Sequence, residues 1–219
     1  MAPSSHPTRL NPRKRPVQLR STETVRIILE AAARILEERG FAGYTTNAVA
    51  ELAGVSVGTL YQYFPGKEAL TVALIEREAV LFLGDVEATE QLTDGREALL
   101  QLITAAVRQQ MRRPVLARLL DFEERRLPFD QHCGHVSVAF IKAISGQLGR
   151  MPSLDLPDIE EAASDILAIV KGVVDRAGER GETDQVRLGE RVTRAVLGFL
   201  GCSEVLLHLS SKPTKTSKF

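Results

Sequence analysis

The sequence predicts an all-α protein of about nine helices, with a small N-terminal domain and a larger C-terminal one. Alanine, leucine, valine, glutamate and arginine dominate its 219 residues, aromatic residues make up only 5%, and tryptophan is absent. This composition favours helices over strands. Apolar residues also recur with the helical period along most of the chain. Apolar residues make up 44% of the chain, which is enough for a substantial core.

The first helix is preceded by a predicted disordered basic arm at residues 1–20. This segment contains four prolines and five basic residues but no acidic residue. The helix itself is predicted to start at Ser21 or Thr22, where apolar residues begin to recur every three or four positions. Gly40 is its predicted stop signal.

The second helix is short, and Thr46 is its predicted N-cap. Its buried face is predicted to consist of Val49, Leu52 and Ala53. Gly54 is predicted to end it, because glycine adopts the left-handed backbone conformation that a residue with a β-carbon resists.

A third helix is predicted at residues 57–63, directly after a tight turn. Ser56 is its N-cap candidate, and Leu60 and Phe64 are predicted to face inward. Two short helices joined by a glycine turn are typical of a helix-turn-helix motif.

The three helices are predicted to form a domain at residues 21–66 with few buried side chains. Phe41 and Tyr44 are predicted to close its core beneath the third helix. A substitution at Leu52 or Leu60 is therefore predicted to unfold this domain.

The exposed face of the third helix begins with small residues, which suits close approach to the major groove of DNA. Thr59 is predicted to contact a base, while Tyr61, Tyr63 and Lys67 are predicted to bind phosphates. Each of these residues taken singly also fits an ordinary packing or surface position. The predicted DNA-contacting residues of the motif are Thr45, Thr46, Ser56, Val57, Gly58, Thr59, Tyr61, Tyr63 and Lys67.

Charge is unevenly distributed, although the whole chain is neutral. Residues 1–70 carry nine basic and six acidic residues, a net charge of +3, so the remainder carries −3. The positive end therefore contains the helix-turn-helix pattern. We hypothesise that Arg13, Lys14 and Arg15 reach phosphates or the minor groove, the alternative being a solvated tail.

An ordered set of residues carries a family resemblance: Thr45-Thr46, Val49-Ala50, Ala53-Gly54-Val55-Ser56, Gly58-Thr59-Leu60-Tyr61, Tyr63-Phe64 and Lys67-Glu68-Ala69-Leu70. The set resembles the DNA-binding domain of the TetR family of bacterial transcription regulators. With the first helix included, the resemblance extends over roughly 50 residues. Gly66 departs from the family pattern, in which a serine cap is common, but glycine at a cap costs only about a few tenths of a kcal/mol.

The C-terminal domain is predicted to span residues 67–210, followed by a disordered tail at 211–219. Turn residues and apolar periodicity predict six further helices: 67–83, 96–112, 114–126, 130–149, 158–178 and 184–209. Pro114 stands at the first position of its helix, where proline is tolerated. The helix that starts at Lys67 is predicted to belong to both domains and to link them mechanically.

The last two helices carry more apolar surface than one face can bury, with small residues at close-packing intervals. In TetR-like proteins the last two helices pair with their copies in a four-helix bundle, so the resemblance implies a homodimer. The alternative is burial within one subunit. The predicted interface residues are Ile169, Gly172, Val173, Ala195, Gly198, Phe199 and Cys202.

The resemblance also implies that residues 96–150 include a ligand-sensing region, in which helices enclose an apolar cavity. The alternative for each candidate lining residue is ordinary core packing. The candidates are Met111, Leu119, Phe122, Phe129, Val136 and Phe140.

No catalytic motif is recognisable, and no cofactor is predicted. His132, Cys133 and His135 are a weak metal candidate. Zinc needs at least three converging ligands, and on a helix Cys133 would point about 100° away from His132. Cys133 and Cys202 show no disulfide spacing, and no stretch predicts a signal peptide or membrane span. A cytoplasmic protein is the resulting expectation.

These features predict a homodimeric transcription regulator, a repressor released from a palindromic operator by a small hydrophobic ligand. Its expected partners are double-stranded DNA, a second copy of the chain and that ligand, but not a membrane. The first alternative is a helical enzyme or carrier that retains a DNA-binding-like domain. A second alternative is an activator or a ligand-independent DNA-packing protein. Selectivity for one duplex over random DNA separates a specific regulator from a DNA-packing protein.

Overall fold

The computed structural model describes residues 19–126, 134–154 and 156–201, and within these residues it contains α-helices and one 3-10 turn but no strand. The helices are α1 Leu19–Gly43, α2 Thr46–Ala53, α3 Val57–Tyr63, α4 Lys67–Ala88, α5 Gly95–Arg112, α6 Pro114–Arg126, α7 Gly134–Leu148, α8 Ile159–Glu179 and α9 Gln185–Phe199. The predicted all-α fold with nine helices is thus confirmed over the described part of the chain. None of the described helices is long and apolar enough to cross a bilayer. Residues 1–18 of the predicted arm, residues 202–209 of the predicted ninth helix and the predicted tail lie outside these ranges.

The helices form two compact units whose limits differ from the predicted domain boundaries. One unit contains residues up to 81 together with 113–133, and the other contains 82–112 and everything from 134 onward. We call the described part of the first unit the head. The predicted boundary after residue 66 cut through this unit, because Leu70 of α4 and Leu116 of α6 are fully buried in the same core as Leu60.

Helix α1 provides the largest wall of the head core. It begins at Leu19, two residues before the predicted start, and its helical backbone is interrupted at Gly40, where φ is 59°. Tyr44, just before α2, is 2% exposed and makes an edge contact with Phe41, their ring centroids 6.4 Å apart. Both aromatic residues thus lie at the core, as predicted.

The hydroxyl of Tyr44 is buried without a well-formed hydrogen bond among the described residues. Burial raises the pKa of the phenol well above its ordinary range, and the carboxylates of Glu68 and Glu123 raise it further, while the nearby Thr71 hydroxyl partly opposes the shift. The folded head therefore favours the neutral phenol. A folded-state pKa above the unfolded one means that stability is retained below pH ~10 and lost as the pH rises above it.

Tyr44→Phe is expected to remove part of the alkaline loss of stability. Between roughly pH 8 and pH 11, the wild type should lose about 1.4 kcal/mol more unfolding free energy than the variant, because only its unfolded state ionises this phenol. Urea titrations followed by circular dichroism at both pH values measure the difference. Equal losses in the two proteins would show that Tyr44 ionises as readily when folded.

The second unit is built on α8, which packs against α5, α7 and α9. Helices α8 and α9 each begin one residue after the predicted position, because Asp158 and Asp184 act as their N-caps through side-chain hydrogen bonds. In the same core, the rings of Phe82 and Phe140 lie 5.3 Å apart.

Candidate nucleic-acid interface

Helix α2 is fixed at both ends by local hydrogen bonds. Thr45, and not the predicted Thr46, is the N-cap, and its Oγ1 accepts a hydrogen bond from the Ala48 N–H at 3.1 Å. Gly54 ends the helix with φ 67° and ψ 29°, the left-handed conformation that was predicted. The Val55 N–H then bonds back to the Ala50 carbonyl at 3.0 Å. The turn is therefore encoded by the sequence around it.

The inward face of α2 differs from the prediction. Val49 and Ala50 are 0% and 1% exposed, whereas Leu52, predicted to face inward, is 41% exposed. Leu52 lies about 160° around the helix from Ala50, since each residue advances by ~100°. Ala53 is half-buried against the core. The helix is thus rotated relative to the predicted apolar face, and a leucine lies on the outer surface.

Helix α3 is anchored by Leu60 and Phe64, which are 0% and 1% exposed as predicted. Ser56 is its N-cap, and its Oγ accepts a hydrogen bond from the Thr59 N–H at 3.0 Å. The Ser56 and Thr59 hydroxyls also lie 2.8 Å apart. Ser56, the N-cap of α3, therefore fixes the orientation of Thr59, the predicted base contact.

The outer surface at the start of α3 is accessible. Val57 and Gly58 are exposed, and among the residues that the structure describes, a β-carbon placed on Gly58 would meet only the Ser56 Oγ, at 3.7 Å. One turn on, the Tyr61 hydroxyl lies 3.2 Å from Thr46 Oγ1, which brings it to the first turn of α2. Tyr61 is 42% exposed. The structure thus joins two predicted contact residues from different helices.

Tyr63 is only half-buried and packs against the head core, while Lys67 is exposed at the first position of α4. The side chains of Arg13, Lys14 and Arg15 lie outside the described residues. Within the described residues, the predicted interface therefore consists mostly of hydroxyl side chains and of the N-terminal ends of α2, α3 and α4.

The helices of the motif carry little positive charge. Residues 21–68 contain four basic and six acidic residues, a net charge of −2, whereas residues 1–20 contain five basic residues and no acid. On α1, Arg26 pairs with Glu23 at 2.7 Å. The positive charge of the N-terminal end thus comes from the first 20 residues, which the net value for residues 1–70 concealed.

The predicted ligand-lining residues fall into different units. Phe140 is buried and Met111 half-buried in the core of the second unit, and Val136 is half-buried on α7. Leu119 packs in the head core, and Phe122 is 58% exposed on α6. Phe129 lies outside the described residues.

Sequence reasoning missed Gln110, a polar residue inside the second unit. It is 5% exposed, and its Nε2 has no hydrogen-bond partner within the described chain. A β-carbon on Gly178 would lie 2.2 Å from that nitrogen, so the amide occupies the space that this glycine leaves. Its position on the buried face of α5, in phase with Ile103 and Val107, was the available signal.

The residues predicted to form a dimer interface lie on the outer part of α8 and α9. Ile169, Val173 and Ala195 are half-buried, and Phe199 is 43% exposed. Gly172 and Gly198 are exposed, and no atom of the described residues lies within 4 Å of a β-carbon added at either position. Cys202 lies outside the described residues.

The described residues contain no group of three potential metal ligands. Of the weak metal candidate, His135 is exposed on α7, and the other two residues lie outside the described ranges.

The chain matches the model of the family described as bacterial regulatory proteins, tetR family, over residues 28–74. These residues run from the buried middle of α1 through α2 and α3 into α4. The repressor KstR of Rhodococcus jostii is 35% identical over 91 residues. Residues 28–74 therefore match the TetR family. The match to KstR covers 41% of each chain, so it spans less than half the length of that relative.

Solved structures of TetR-family proteins share the fold over most of this chain. A TetR transcription regulator from Haloarcula marismortui superposes with a TM-score of 0.72 at 18% identity, covering 83% of this chain and 98% of that one. SmeT, described as the repressor of a Stenotrophomonas maltophilia efflux pump, has been solved in complex with triclosan. That complex matches with a TM-score of 0.61 at 22% identity, over 80% of this chain and 90% of SmeT. These TetR-family proteins are regulators, in agreement with the prediction that the chain is not an enzyme.

Proposed function

We propose that the chain is a homodimeric, sequence-specific DNA-binding repressor, released from a palindromic operator by a small, mainly hydrophobic ligand. The observation that carries the proposal is the α2–α3 pair. Its inner side chains are fully buried, and its second helix presents an open N-terminal surface. A rigid short helix with small leading residues can enter the major groove N-terminus first.

The contacts proposed for the head divide into two kinds. Thr59, whose hydroxyl lies 2.8 Å from that of Ser56, is the proposed contact to a base edge, and Val57 is the proposed contact to a thymine methyl group. Tyr61 and Thr46 offer hydroxyl donors to a phosphate, and Lys67 offers a charge at the start of α4. The base contacts provide sequence preference, while the phosphate contacts set the register of the protein on DNA.

The dimer is proposed from the outer faces of α8 and α9. Phe199 is exposed, and no described atom lies within 4 Å of a β-carbon added at Gly172 or Gly198, which favours close approach of a partner helix. A two-fold dimer presents two reading helices to a palindromic site, which is how helix-turn-helix dimers recognise DNA.

The repressor and ligand parts of the proposal are supported by relatives. KstR, which is 35% identical over its matched part, is named a repressor, and SmeT of the same fold binds triclosan. In this chain, the second unit has an apolar core that contains the unpartnered Gln110 amide. A ligand acts only if it binds one conformation better than the other.

Selection of bound fragments from genomic DNA, followed by footprinting, tests the proposal. We expect a protected palindrome whose half-sites lie about one helical turn, or a multiple of it, apart. Gly58→Glu should abolish protection while leaving thermal unfolding unchanged, because a β-carbon at this exposed position makes only ordinary contact with the described residues, whereas a carboxylate there would be repelled by the DNA phosphates.

Two results would oppose the proposal. One is the absence of any fragment protected by the wild type at moderate salt. The other is a Gly58→Glu protein that protects the same fragment as well as the wild type does.

A further inference from the structure

A cluster of charged side chains in the head is centred on Glu30 of α1. Its carboxylate binds Arg77 of α4, with 3.2 Å between Oε2 and Nη1, and Arg113, whose Nη1 lies 3.2 and 3.0 Å from the two oxygens. Arg113 also donates two hydrogen bonds to Glu37, which lies about two helical turns after Glu30 on α1. Its Nε lies 2.9 Å from Oε1, and its Nη2 bonds to Oε2. Arg77 in turn pairs with Glu78 at 2.8 and 3.0 Å.

The two arginines stand where the chain passes between its compact units. Helix α4 leaves the head after residue 81, and Arg77 lies four residues before that point. The chain returns to the head at residue 113, so Arg113 is the first residue of the head after α5. Both passages of the chain are therefore tied to the same carboxylate on α1.

The two arginines of the cluster are largely shielded from solvent, which favours a fixed geometry of their ion pairs. The side chains of Arg77 and Arg113 are only 21% and 22% exposed. The hydrogen bonds that Arg113 donates to the Glu37 carboxylate hold the pKa of the Arg113 guanidinium above its ordinary range, so the group stays charged. A planar guanidinium that bridges two carboxylates resists displacement in more than one direction, whereas a single exposed pair is easily replaced by water.

The cluster bears directly on the reading helix, because α1 packs on α2 and α2 packs on α3. A displacement of α4 or of the α5–α6 junction that moves Arg77 or Arg113 must either move α1 or break the cluster.

We propose that Glu30, Glu37, Arg77 and Arg113 are positioning residues that transmit changes at both chain passages to the DNA-reading head. The inference rests on the proposed function. In the ligand-free protein the intact cluster holds α1 in the orientation that suits the operator. A ligand that shifts either passage weakens DNA binding by displacing one arginine from its carboxylates.

The test uses the full-length protein and two duplexes, one selected from genomic DNA by the wild type and one of scrambled sequence. Arg113→Gln is expected to raise the Kd for the selected duplex by about tenfold while leaving the scrambled duplex almost unchanged. Glu30→Gln, which keeps the size of the side chain, should act in the same direction and serves if Arg113→Gln does not fold. Arg108→Gln is the matched control, since Arg108 makes an exposed pair with Asp85 at 3.3 Å and both residues belong to the second unit.

The double variant with Arg113→Gln and Glu37→Gln should bind the selected duplex no more weakly than Arg113→Gln alone, because the two substitutions remove the same interaction. The inference is overturned if the folded variants bind the selected duplex as tightly as the wild type, or lose affinity for both duplexes in parallel. If the wild type itself does not distinguish the two duplexes, the proposed function fails instead.

Discussion

Leu60→Ala is expected to unfold the head, lowering the unfolding free energy by about 3–5 kcal/mol. Leu60 is fully buried in a core that it shares with Phe64 and with Leu70 of α4. A cavity at this point opens the core that these residues share, and a small core has few other contacts to compensate. Urea denaturation followed by circular dichroism measures the loss.

Leu52→Ala is the matched control, since it makes the same chemical change eight residues earlier in the same motif. Leu52 is 41% exposed, so its substitution should cost less than about 1 kcal/mol. Equal losses at both positions would contradict the observed rotation of α2, and would restore the apolar face that the sequence predicted.

Neutralising the basic arm is expected to have the largest effect on DNA binding. Replacing Arg13, Lys14 and Arg15 together by glutamine should weaken binding to the selected duplex by roughly a hundredfold at 0.1 M salt. The dependence of log K on log salt should become less steep by about three per protomer. The reason for this expectation is that residues 21–68 carry a net charge of −2, whereas residues 1–20 contain five basic residues and no acid.

The C-terminal tail provides a control of equal charge. The tail also contains three basic residues, Lys212, Lys215 and Lys218. Replacing all three by glutamine changes the net charge by the same amount as the arm variant does. It should leave both the affinity and the salt dependence nearly unchanged. If arm and tail variants behave alike, the arm acts only through net charge and not through contact with DNA.

Local sequence was sufficient to predict the turn of the motif. Ser56 as a cap, Gly54 in the left-handed region and the inward Leu60 and Phe64 all depend on neighbours within a few residues. The cap of α2 was misplaced by one residue because Thr45 and Thr46 are chemically alike and only the backbone distinguishes them.

Features that depend on residues far apart in sequence were not predictable in this way. The packing of α6 in the head could not be seen, because Leu116 lies more than 50 residues after Leu60 in the chain. The cluster around Glu30 likewise joins side chains 47 and 83 residues away. Periodicity shows which face of a helix is apolar, but not which other helix covers it.

The most direct test of the account is the ratio of the Kd values for the scrambled and the selected duplex, measured with wild-type protein at physiological salt. A head that reads base edges through α3 predicts a ratio of about 10³ or more. A ratio near one would show that the surface of α3 binds DNA without reading its sequence, and would contradict the account.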